Sequence, residues 1–229
     1  MRQIVFFAIM FKEFSEKILK TQKKILGIRV PDMRKTAKEK AKNISFDSLV
    51  LMLNKCDKNV YEDVFICGLV ISYSKLSDEE KIKATKIYLE FVDSWALIDS
   101  AIMTKKTTKS DEKLWKDFVE ICIKSDKEFV VRFGVVYMMT NFLDEKNIDF
   151  VFKNLRKIKH TGYYVKMAMA WLYATSAINY FDKTINELQT QNIDAWTVNK
   201  SFQKMLESYR ICDENKKFIR DLKKQLKNR

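Results

Sequence analysis

Glycine and proline are scarce: 4 and 1 among 229 residues. A many-turned β protein draws on both at its turns, and a nucleotide-binding loop draws on glycine, so neither architecture suits this composition. Histidine is nearly missing as well. His160 stands alone, and Cys56, Cys67, Cys122 and Cys212 are scattered without a C-x-x-C pair. That pattern disfavours a zinc site, a disulfide framework and a Cys–His nucleophilic dyad, and it fits a reducing, cytoplasmic compartment. Long apolar runs are absent too. No stretch approaches the ~18 uninterrupted apolar residues of a spanning helix, so no membrane role is expected. The opening MRQIVFFAIM (1–10) is apolar after Arg2 but short, lacks an A-x-A-type cleavage site and runs into an amphipathic segment. It reads as an N-terminal extension or the start of the first helix.

What the chain has is helix-forming, charged and basic. Apolar residues make up 47% and charged residues 32%, which suits a folded chain with a sizeable core. One domain over 11–229 is the simplest division. A net charge of +13 points to a polyanionic partner, nucleic acid before a membrane surface. Lysine outnumbers arginine, and Ile and Asn are common, so part of that charge is compositional.

Apolar periodicity predicts helices throughout. The first runs from about Phe11 to Leu26 and ends at Gly27, with Ile28-Arg29-Val30 as a short extended link. Pro31 opens the next, which continues from Asp32 to about Asn43. Asp47–Asn54 and Asn59–Ser74 follow, and Ser77-Asp-Glu-Glu80 has the form of a capping box that opens a helix to about Val92. A helix containing Trp95 comes next and dissolves into a polar run over 104–109; another reaches about Lys124. Beyond it, segments 126–141, 144–157, 161–177, 180–190, 194–209 and 213–227 alternate with short polar links. Helix pairs recur at about 35–40 residues, the period of HEAT-like arrays. The expected fold is an all-α, HEAT-like α-solenoid of stacked antiparallel helix pairs with a concave basic groove.

Three helices carry residues suited to a flat, charged ligand. In Asp93-Ser-Trp-Ala-Leu-Ile-Asp-Ser100, Trp95 and Asp99 fall on one helical face, where an indole and a carboxylate can hold a flat cation together. A capping Ser94, a core tryptophan and a solvated aspartate account for the same pattern. Arg132 is a lone cation within the apolar run Glu128–Val136, paired either with a carboxylate of the fold or with a phosphate. Trp171 follows Ala168 and Ala170, which leave room for a cleft; a core indole is the plainer reading. Arg29 and Arg34 flank the Pro31 turn, Lys166 lies near the Trp171 face, and Lys200 and Lys204 share one helix face. Each alone reads as a solvated charge; together they would make a phosphate track.

Taken in order, Leu26-Gly-Ile-Arg-Val-Pro-Asp-Met-Arg34, Ser94–Ser100, Val131-Arg-Phe-Gly-Val135, Val165–Trp171 and Asn199-Lys-Ser-Phe-Gln-Lys204 resemble the DNA alkylation repair (AlkD-like) family of HEAT-like DNA glycosylases. The resemblance implies a cofactor-free, metal-free enzyme that removes N3- or N7-alkylated purines from double-stranded DNA. A monomer is the expectation for a groove that must admit a duplex, and the expected location is cytoplasmic, bacterial-type and DNA-associated. Asp99 matches the family's catalytic carboxylate, Trp95 and Trp171 the aromatics that flank the lesion, and Arg132 the residue that holds the DNA backbone. Three features depart from that pattern. Ala96 follows Trp95 where active relatives often carry an acidic residue, Ile18 stands where an aromatic is expected, and the region before Gly27 reads one helix short. A catalytically silent protein that recognises duplex shape or distorted DNA is the alternative, and a protein-interaction scaffold the third.

Overall fold

The computed structural model describes residues 19–102, 111–190 and 192–227. Among them are eleven α-helices, one π-helix and a single isolated parallel bridge, Lys24 with Val60. The fold class is all-α. The chain divides into two compact units, Met1–Val119 and Glu120–Arg229.

The first unit holds α1 (Val30–Ala41), α2 (Phe46–Lys55), α3 (Tyr61–Tyr73), α4 (Asp78–Leu89), a π-helix (Leu97–Ile102) and the start of α5 (Glu112–Cys122). Local chemistry sets several of the starts. Pro31 sits in the first turn of α1, where its missing N–H is no loss. Ser45 caps α2 by accepting the Ser48 N–H, and Ser77 and Glu80 exchange the two hydrogen bonds of a capping box on α4. α3 is apolar on nearly every side and is covered by α1 on one flank and the π-helix on another. Packing of each helix on the second helix along, as α1 on α3 and α2 on α4, is the pairing of stacked helical repeats.

The second unit repeats this plan. It holds α6 (Glu128–Asn141), α7 (Ile148–Leu155), α8 (Tyr163–Ser176), α9 (Phe181–Thr190), α10 (Ala195–Glu207) and α11 (Asp213–Lys227). α6, α8 and α10 form one layer with α8 in the middle. Residues Val131–Met139 of α6 are all buried, as its near-continuous apolar run requires. Gly134 lets that helix come close to Ile123, since a Cβ there would stand 2.8 Å from Ile123 Cγ2.

The helix expected over 11–26 is corrected by the structure in its described part. Leu19 is helical, but Lys20 has φ 52° and the chain from there to Arg29 is not helical. Backbone and side-chain groups far along the chain hold this stretch extended. The Lys24 N–H donates to the Asn59 carbonyl and the Lys24 carbonyl accepts from Tyr61 N–H. The Asp93 carboxylate accepts from Thr21 Oγ1 and the Gln22 N–H. At the Gly27 turn, where φ is +88°, the Glu62 carboxylate accepts the N–H groups of Leu26, Gly27 and Ile28 at 2.8 to 3.3 Å. Glycine suits that turn because a Cβ is disfavoured at positive φ. Ile18 lies outside the described residues, as does the whole polar run over 104–109 together with the segment before residue 19.

Candidate functional site

Trp95 and Asp99 bracket a buried anchor. Ala96, Leu97 and Ile98 are 4%, 0% and 0% exposed, while Trp95 and Asp99 on either side are half-buried. The anchor fixes the backbone and leaves the indole and the carboxylate at the surface of the first unit. The segment from Leu97 is a π-helix rather than the α-helix that its periodicity suggests. Its i→i+5 pattern is wider than an α-turn, and π-turns are frequent where a helix must re-aim a functional side chain. Trp95 and Asp99 remain about one turn apart under either geometry.

Side chains from two other segments secure this turn. Tyr88 Oη donates to the Leu97 carbonyl at 2.9 Å. The Arg34 guanidinium donates to Tyr73 Oη at 2.8 Å through one nitrogen and to the Ser100 carbonyl at 3.1 Å through another. The Ser94 hydroxyl donates to the Leu19 carbonyl at 2.7 Å. The sequence suggests a phosphate contact for Arg34, beside the Pro31 turn. Its acceptor at Ser100 lies 66 residues away, and no local spacing signals it. Arg29, by contrast, is exposed and pairs with Asp32 at 3.0 Å.

The second unit places the remaining candidates on α6, α8 and α10, the three helices of one layer. Arg132 is 5% exposed and donates to the Tyr164 carbonyl at 2.8 Å. Glu128, one turn before it, accepts the Tyr164 N–H, so the first turn of α8 is gripped from both sides by α6. Trp171 is 40% exposed on α8. Lys166 pairs with Asp194 at 3.1 Å, and Lys200 donates to Gln203 Oε1. Burial is the main force that lowers the Lys204 ammonium pKa; Lys200 and Arg132 push the same way and Glu207 opposes them. Lys204 is half-buried, with Glu207, Lys200 and Arg132 as its charged neighbours.

Asp194 caps α10, accepting from Thr197 N–H and Oγ1. Burial would raise its carboxyl pKa, but the bonds from Thr197 and Lys166 outweigh burial and hold it below the usual range. A depressed carboxylate stabilises the fold above its unfolded pKa, and that contribution is lost as pH falls through the folded one. Asp194→Ala is therefore expected to cost about 1–2 kcal/mol at neutral pH. Thermal melts of the two proteins should converge as pH falls below about 4.

Among the described residues, no cluster of His, Cys, Asp and Glu is placed to hold a metal ion, and no helix is long and apolar enough to cross a membrane. The family described as DNA alkylation repair enzyme matches residues 11–191, most of the chain and every segment carrying Trp95, Asp99, Arg132 and Trp171. No curated protein and no solved structure matches it.

Proposed function

The chain belongs to the DNA alkylation repair enzyme family, and from that premise we propose that it is a DNA glycosylase excising cationic N3- and N7-alkylated purines from double-stranded DNA, with Asp99 as its catalytic carboxylate. The observation that carries this reading is the half-buried pair of Trp95 and Asp99, with Asp99 on a π-helix whose carbonyls at Leu97 and Ser100 are tied down by Tyr88 and Arg34. An alkylated purine is already positively charged. Its C1′–N9 bond breaks with the electron pair passing to the base, which leaves neutral and needs no general acid. Positive charge then develops on the sugar. A fixed carboxylate stabilises it, and a water adds to C1′ and gives up a proton, leaving an abasic site.

Trp95 gives the cationic nucleotide an aromatic face, worth roughly 0.5–2 kcal/mol by cation–π attraction. In the second unit, Trp171 is a half-exposed indole for the same class of contact, and Arg132, Lys166, Lys200 and Lys204 are assigned to DNA phosphates. Arg29 is the phosphate ligand of the first unit. The protein acts as a monomer under this reading, and Ala96 follows Trp95 in the sequence. The test is release of free base from duplexes carrying N7-methylguanine or N3-methyladenine. Release from these, and none from unmodified duplex, is the expected result. Salt-dependent duplex binding without any release would contradict it and favour a catalytically silent DNA-binding protein.

A further inference from the structure

We propose that Arg34 is a positioning residue for Asp99, bridging α3 and the π-helix so that the turn carrying the carboxylate is held in one orientation. The proposal rests on the glycosylase reading for its catalytic consequence, though not for its geometry. Arg34 is half-buried on α1, and its two terminal nitrogens reach acceptors on different elements: Tyr73 Oη at 2.8 Å and the Ser100 carbonyl at 3.1 Å. Ser100 is the residue after Asp99. A planar guanidinium fixes the angle between its two donors, so binding both acceptors sets the position of the π-helix relative to α3.

The same brace has two supporting members. Lys38, one turn further along α1, lies over the Tyr73 ring at 5.6 Å and holds that ring against α1. Tyr88 anchors the other end of the π-helix through the Leu97 carbonyl. Asp99 therefore sits between two side-chain clamps, at Leu97 and at Ser100. A lysine at position 34 reaches one acceptor as a point charge and cannot hold both.

This role is separable from the phosphate contact that the sequence suggests for Arg34. A phosphate contact sets affinity and its salt dependence; a positioning contact sets the rate of the chemical step. The experiment compares wild type, Arg34→Lys, Arg34→Gln and Tyr73→Phe. It reads single-turnover base release, duplex affinity across a salt series, and amide hydrogen exchange over residues 95–102. Both Arg34 variants are expected to slow base release by about ten- to a hundredfold, with affinity and salt slope unchanged and faster exchange over that segment. Tyr73→Phe should do the same to a smaller degree while keeping the arginine charge. Weaker affinity with a salt slope shallower by about 1, and an unchanged rate, would overturn the proposal in favour of a phosphate contact. So would faster exchange with no change in rate. If wild type releases no base, the exchange result still separates the two readings: faster exchange in the variants keeps the brace and rejects the glycosylase, and unchanged exchange rejects the brace itself.

Discussion

Asp99→Asn is expected to slow single-turnover base release by about 10²–10³-fold while leaving duplex affinity unchanged. Asparagine matches the carboxylate in size, so the buried anchor of Ala96, Leu97 and Ile98 and the indole of Trp95 stay in place. What is lost is the negative charge, and that charge matters most once the sugar has become positive. An interaction stronger in the transition state than in the ground state changes rate rather than binding. Rate and affinity measured on the same duplex check the separation. A parallel loss of affinity would mean that Asp99 holds DNA rather than the transition state.

The second large effect falls on stability. Glu62→Leu is expected to destabilise the first unit by about 2–4 kcal/mol, because the N–H groups of Leu26, Gly27 and Ile28 lose one shared acceptor. The carboxylate belongs to a residue only 2% exposed, so a variant keeping a backbone-accepting oxygen, Glu62→Gln, should recover part of the loss. Thermal denaturation checks the order wild type, Gln, Leu, with a fall of roughly 5–15 °C for leucine. The effect reaches the candidate site. The stretch that Glu62 holds continues back to Thr21 and Gln22, which bond Asp93, and to Leu19, which bonds Ser94. Those contacts set the approach to Trp95.

Much of the fold is legible in the sequence because its determinants are local. Pro31, the Ser77–Glu80 capping box and the apolar run of α6 act within one helix, and each helix they predict is present. The stretch from Lys20 to Leu26 is misread because its lysines and spaced apolar residues satisfy a helical pattern, whereas the end at Gly27 and the extended Ile28-Arg29 are as expected. Glu62, Asp93 and the Asn59 carbonyl override that pattern from far along the chain. The π-helix is hidden for a related reason. Leu97–Ile102 has the composition of an α-helix, and the bonds that accompany its wider turn come from Tyr88 and Arg34. Trp95 and Asp99 stand out as a pair from spacing alone, whereas Arg34 is found only when Ser100 is brought to it.

Under the proposed function catalysis turns on charge: Asp99 stabilises a positive sugar and no general acid assists the leaving base. The most direct measurement compares single-turnover excision of N7-methylguanine, which is cationic, with that of hypoxanthine, which is neutral, in otherwise identical duplexes. Excision of the cationic base alone is the predicted result. Excision of both at comparable rates would contradict it, since a neutral purine needs a proton donor to leave and the proposed function supplies none.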